Sequence, residues 1–284
     1  MSKQTNMDYK DNVKNTFSFS REARDWSRLY DEPRDLFEVT MLLRRNFVLN
    51  YISRNFDNSK KILDLGCGTG VLIEKLLNNG MNVVGMDLSE DMLSLAFEKT
   101  RAYPQEKSLL LQGDSEALPF DNKRFDLIAC LGVIAFLKDE GLAIKEMHRI
   151  LRKNGILILS FRNKYTLSTF FDPVRLGRIL VFKLSKVVKR RIKKISKSNQ
   201  ETILVPRRFN SFSLIERLKR NGFIVKEVKN IGYGPLRLND KELFPQFISI
   251  KISQILDKIF NISCFKSLKW SSDVCVLVLE KINV

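Results

Sequence analysis

The chain has 284 residues, 44% of them hydrophobic, and a formal net charge of +17 with one histidine. That is enough apolar material for one large core with an added subdomain, and no apolar run approaches the roughly 20 residues of a membrane-spanning helix. The polar start, residues 1–6, lacks a signal-peptide core, and Cys67, Cys130, Cys264 and Cys275 are scattered with no Cys-x-x-Cys pair, which argues against a zinc site or disulfide framework and for a reducing cytoplasm.

Residues 1–16 are polar and expected to be loose. Helical patterns follow at about 21–30 and 35–56. Apolar strands are then expected at 61–65, 82–87, 108–112, 125–130 and 155–162, with helical patterns between them. Such alternation indicates parallel strands in a doubly wound α/β fold. After Arg162 the pattern breaks for about 40 residues. It resumes with a helix at 211–221, a strand at 223–229 and a last apolar strand at 274–280. The stretch of about 230–272 is a second insertion, helical around Gln246–Phe260.

The first strand carries the most information. Lys61-Ile62-Leu63-Asp64-Leu65 runs into Gly66-Cys67-Gly68-Thr69-Gly70, and a helix begins at Val71. Glycine tolerates the angles of a tight strand-to-helix turn and lets a ligand lie against the main chain. A helix start presents unpaired N–H groups to an anionic or carboxylate-bearing ligand. The spacing is Gly-x-Gly-x-Gly, not the dinucleotide Gly-x-Gly-x-x-Gly. Asp64 sits in the strand before the turn, and Asp87 ends the next strand, where a carboxylate can accept from two ribose hydroxyls.

These residues resemble the class I S-adenosylmethionine-dependent methyltransferases, of the small-molecule and lipid-quinone type. The resemblance runs over about residues 60–162. It is carried by Leu63–Gly70, by Gly85-Met86-Asp87-Leu88-Ser89 with Met92-Leu93, and by Gln112-Gly113-Asp114-Ser115-Glu116-Ala117-Leu118-Pro119-Phe120. Phe125-Asp126-Leu127-Ile128 and Met147-His148-Arg149-Ile150-Leu151-Arg152-Lys153-Asn154-Gly155 complete it. It implies a Rossmann-like, seven-stranded, mostly parallel sheet with helices on both faces and an antiparallel last strand. The expected divisions are 1–56 (tail and lid helices), 57–165 (cofactor-binding core), 166–207 (basic helical insertion) and 208–284 (rest of the core with the second insertion).

The implied cofactor is S-adenosylmethionine. Gly66, Gly68 and Gly70 would let its methionine portion approach the backbone, with Cys67 contributing main chain or acting as a small filler. Asp64 would hold the ammonium group or pin the glycine turn. Asp87 would bind ribose, and Leu88 and Met92 would pack on adenine or fill helix core. Asp114 would accept the adenine amino hydrogen beside the Ser115 N–H, or form a surface turn, and Leu131 would line the reaction channel. Residues 17–30 resemble a lid helix whose Trp26 and Tyr30, four apart on one face, would cover the site or simply pack. Relatives of the quinone type carry a Glu-His pair after the fourth strand; this chain has Val133-Ile134-Ala135-Phe136-Leu137. Tyr165, Tyr30, Tyr233 and His148 are the remaining proton-handling candidates, His148 being read chiefly as a surface or helix-packing residue. No metal-ligand spacing stands out.

Ten basic residues and no acid occupy 174–197. On a helical wheel Leu176, Leu180, Val181, Leu184, Val187, Val188, Ile192 and Ile195 share a face, and most of the charges, Arg191 excepted, fill the other. Such a helix suits an anionic membrane interface. It also fits packing on the core with the charge in solvent, and fits nucleic acid less well because of its broad apolar face. Ile248, Ile252, Ile255, Leu256 and Ile259 make a second apolar face beside Lys251 and Lys258. The sequence thus points to methyl transfer to an oxygen of a small or lipid-linked acceptor, in the cytoplasm or at the inner face of a membrane. The alternatives are an RNA or protein methyltransferase, or a non-catalytic cofactor-binding member of the fold.

Overall fold

The computed structural model describes residues 4–16, 33–167, 206–234, 237–238, 241–242, 244–260 and 268–282. Trp26, Tyr30, Cys264 and the basic stretch 174–197 lie outside them. The helices are α1 (Gln4–Thr16), α2 (Leu36–Asn55), α3 (Val71–Asn78), α4 (Glu90–Thr100), α5 (Glu140–Ile150), α6 (Ser211–Arg220) and α7 (Gln246–Phe260). The strands are β1 (Lys61–Leu65), β2 (Asn82–Asp87), β3 (Ser108–Gln112), β4 (Phe125–Leu131), β5 (Leu151–Arg162), β6 (Phe223–Ile231), β7 (Arg237–Leu238), β8 (Lys241–Glu242) and β9 (Val274–Lys281).

Seven strands form one sheet in the order β3-β2-β1-β4-β5-β9-β6. β1 to β5 run parallel, and β9 pairs antiparallel with both β5 and β6. The chain moves outward from β1 to β2 and β3, then returns to lay β4 on the other side of β1. This reversal opens a crevice at the carboxyl ends of β1, β2 and β4, where open α/β sheets bind ligands.

Two apolar layers hold the sheet. Leu63 and Leu65 join the layer that includes Met147, Ile150, Leu214 and Leu218 from α5 and α6. Ile62, Leu127, Ala129, Ile158 and Val276 join the layer under Met41, Val48 and Ile52 of α2 and Leu72, Ile73 and Leu76 of α3. Because strand side chains alternate, Asp64 and Ser160 fall on the α2 side, next along the strand from the buried Ile62 and Ile158. The starts of α2 and α4 are capped by side chains. Asp35 accepts from the Glu38 N–H (2.8 Å) and Ser89 from the Met92 N–H (3.3 Å), each satisfying a donor with no partner inside the helix.

The N-terminal residues depart from expectation. Residues 4–16 form a helix rather than a loose tail, and Lys10 reaches Asp114 and Glu116, about 100 residues away in the chain. The second insertion carries the short β7–β8 hairpin besides α7. Among the described residues no helix is long and apolar enough to cross a membrane.

Candidate functional site

A cavity of about 340 Å³ opens at the carboxyl ends of β1, β2, β4 and β5. Its floor is the glycine turn. The Gly66 and Cys67 N–H groups both donate to the Met86 carbonyl (2.7 and 3.1 Å), and the Gly70 N–H donates to Cys67 (3.1 Å). Gly66 has φ +73°, and a β-carbon there would lie 2.0 Å from a Val133 methyl. A β-carbon at Gly68 would meet nothing within 4 Å. Gly68 lines the cavity, so its missing side chain leaves room for a ligand against the main chain. Gly70 serves another purpose: it does not line the cavity, and a β-carbon there would press on Ala96 at 2.9 Å. Its smallness lets α3 begin against α4.

Asp87 ties turn and strand together. Its Oδ2 accepts from the Gly68 N–H (2.8 Å) and its Oδ1 from the Ser89 N–H (2.9 Å). Each oxygen retains acceptor capacity toward the cavity. Burial raises the Asp87 pKa, opposed by the N–H groups of Ser89, Gly68 and Leu88. Asp64 is 3% exposed. Burial, with the nearby Asp87 charge, pushes it up to about 7, against the pull of Arg44. Burial also holds the Cys67 thiol well above its ordinary range, so Cys67 is no ready nucleophile.

Arg44 escaped the sequence reading. Its guanidinium is buried, its Nη1 lies 3.4 Å from the Ser160 hydroxyl, and a β-carbon at Gly132 would come within 3.0 Å of it. The signal was present: Arg44 stands three residues after Met41 and four before Val48, on the stripe that α2 buries. A charge on a core stripe marks a polar place in the core, here the inner end of the cavity, where Asp64 provides the opposite charge.

Asp64, Gly66, Cys67, Gly68, Asp87, Leu88, Met92, Asp114, Ser115 and Leu131 all line the cavity. Asp114 is already engaged. Lys10 donates to its Oδ2, its Oδ1 accepts from the Glu116 N–H (2.9 Å), and Lys10 also lies 3.2 Å from the Glu116 carboxylate. Tyr9, Lys10, Val13 and Lys14 of α1 form part of the wall beside it. The far half is apolar, with Phe37, Met41, Phe136, Phe161, Pro206 and Val274, and it carries Arg45 and Arg162.

Of the proton-handling candidates, Tyr30 lies outside the described residues, and Tyr165, Tyr233 and His148 do not line the cavity. Tyr165 is 52% exposed and outside the cavity wall. Tyr233 is buried against Phe260, ring centroids 5.0 Å apart, and burial raises its pKa. His148 packs edge-on against Phe223 at 5.3 Å and has its pKa lowered by burial and then by Lys281. Tyr233 is thus taken up by packing, Tyr165 lies in solvent, and His148 has the helix-packing role expected of it. Among the described residues no group of three His, Cys, Asp or Glu side chains could hold a metal ion.

A methyltransferase domain model matches residues 63–159. An uncharacterized protein of Methanocaldococcus jannaschii is 32% identical over 202 residues, covering 69% of this chain and 74% of that protein. The ubiquinone biosynthesis O-methyltransferase of Pelagibacter ubique is 28% identical over 176 residues, covering 60% of this chain and 72% of that enzyme. In fold the chain is similar to the magnesium protoporphyrin IX methyltransferase of Synechocystis, solved with bound S-adenosylmethionine. There the TM-score is 0.59 at 17% identity, over 96% of this chain and 97% of that one.

Proposed function

Since the chain belongs to the class I S-adenosylmethionine-dependent methyltransferases, we propose that it methylates an oxygen of a small or lipid-linked acceptor, at the inner face of a membrane. The observation that carries the binding site is the glycine turn held by Asp87 on the floor of the cavity. The open side of Gly68 and the acceptor capacity left on Asp87 fit the cofactor. S-adenosylmethionine supplies an activated methyl group on a sulfonium sulfur.

The residues divide the work by chemistry. Asp87 accepts from the two ribose hydroxyls. Leu88 and Met92 offer apolar surface to the adenine, and Asp114 with the Ser115 N–H meets its polar edge. Asp64 and Arg44 present opposite charges at the inner end, matching the ammonium and carboxylate of an amino acid. Phe37, Met41, Phe136 and Phe161 exclude water and hold an apolar acceptor in line, which supplies much of the rate in a displacement of this kind. The oxygen acceptor is supported by the likeness to an enzyme named as a ubiquinone biosynthesis O-methyltransferase. The lipid-linked character is supported by the apolar far wall.

The experiment is incubation with methyl-tritiated S-adenosylmethionine and, separately, lipid, soluble-metabolite, RNA and protein fractions of the source cell. Label in the lipid or metabolite fraction, carried on oxygen by mass spectrometry, is expected. Label in RNA or protein would replace the acceptor reading. Cofactor binding with no label in any fraction would make the chain a binding module.

A further inference from the structure

We propose that the outer face of α7 is a docking surface for an anionic lipid bilayer, distinct from residues 174–197. The rotation of α7 is fixed by its inner face. Ser249 and Ser253 are buried, Asp257 accepts from the Gly232 and Tyr233 N–H groups at 3.1 and 3.2 Å, and Phe260 meets the Tyr233 ring. Leu256, expected to share one apolar face with Ile255 and Ile259, is instead half-buried toward the serine side, and Ile252 is half-buried at the edge of the outer stripe.

The result is a helix that turns two serines inward and three large apolar side chains outward. Phe247 is 64% exposed, Ile255 57% and Ile259 37%. Lys251 and Lys258 are exposed between them. Positions 247, 251, 255, 258 and 259 follow the 3.6-residue period and form one stripe, and Asp257 is turned away from it. Three exposed apolar side chains with two cations among them form a contiguous patch, unlike the scattered single apolar residues of an ordinary surface.

Charge decides the occupant. In a two-fold contact between copies the same patch meets itself, so lysines face lysines and repel. An anionic bilayer surface complements both lysines, and its headgroup boundary accepts the phenylalanine and isoleucines. The chain's net charge of +17 acts in the same direction. The helix also packs on α2, which lends Phe37, Met41 and Arg44 to the cavity wall. Docking through α7 therefore sets α2 close to the bilayer surface.

The test uses the full chain and flotation with phosphatidylcholine vesicles, with and without phosphatidylglycerol. The wild type should bind the phosphatidylglycerol vesicles only. Removing both charges, Lys251→Gln with Lys258→Gln, should weaken partitioning by about thirtyfold at low salt. The second variant, Phe247→Ser with Ile255→Ser, should weaken it at least about tenfold. Both variants should keep wild-type affinity for S-adenosylhomocysteine, because the substituted side chains are exposed and outside the cavity wall. Absence of wild-type binding, or equal flotation of wild type and both variants, overturns the proposal. So does a change of oligomeric state in the variants, which would give the face to a second copy of the chain.

Discussion

Replacing Asp64 with asparagine should stabilise the ligand-free protein at neutral pH while weakening its hold on the cofactor. The carboxyl is pushed up to about 7 in the folded chain by burial and by Asp87, from an ordinary value of 3.8. Between those two values the folded protein keeps a proton that the unfolded chain has released. The unfolded state thus binds fewer protons, and stability falls as pH rises from about 4 to about 7. At about 1.4 kcal/mol per pH unit, the loss attributable to Asp64 reaches up to about 4 kcal/mol above pH 7. Asparagine keeps the shape without the charge. Wild type and Asp64→Asn should melt together near pH 4 and diverge steadily to pH 7.5, the variant ending higher by up to about 8 °C at roughly 2 °C per kcal/mol. Loss of the charge-assisted bond to an ammonium group should weaken S-adenosylhomocysteine binding by about ten- to a hundredfold. Thermal melts across pH and calorimetric titration read both effects. Parallel melting curves at every pH, or unchanged affinity, would refute the assignment of a buried, proton-holding Asp64 at the amino-acid end of the site.

Gly66→Ala places a methyl 2.0 Å from Val133 at φ +73°; urea melts should show a loss of about 2–4 kcal/mol. Adding Val133→Ala should restore the packing part of that loss and leave the backbone part. Arg44→Gln should weaken S-adenosylhomocysteine at least about tenfold and leave 5′-methylthioadenosine, which lacks the amino acid end, unchanged by calorimetry. Lys10→Gln removes the α1 contacts with Asp114 and Glu116. These ion pairs are partly exposed, so stopped-flow release of S-adenosylhomocysteine should quicken by only about two- to fivefold, and salt should do the same to the wild type.

The sheet was legible because its strands are short apolar runs that end in glycine or aspartate, and β1, β2 and β3 have the boundaries the sequence suggests. The glycine turn and Asp87 were legible because a tight turn and a strand-end carboxylate leave marks within a few residues. What failed to show were features made by distant contacts. α1 has no apolar stripe to announce it, and its Lys10 is held by acids across the fold. Gly70 looked like its two neighbours, yet it is small for Ala96 and not for a ligand. The orientation of α7 follows from Asp257 and the buried serines, which an apolar wheel ranks below its isoleucines. Tyr165 and Tyr233 have suitable side-chain chemistry, and only the fold reveals that neither lines the cavity, whereas His148 packs on Phe223 as its helix pattern suggests.

The most direct measurement is a calorimetric titration of the full chain with S-adenosylhomocysteine, run in parallel on Asp87→Ala. One site per chain is expected, with affinity at least about tenfold weaker in the variant as a carboxylate that accepts from ligand and glycine turn is removed. No heat with the wild type, or equal affinity in both proteins, would contradict the account of the glycine turn and Asp87 as the cofactor's seat.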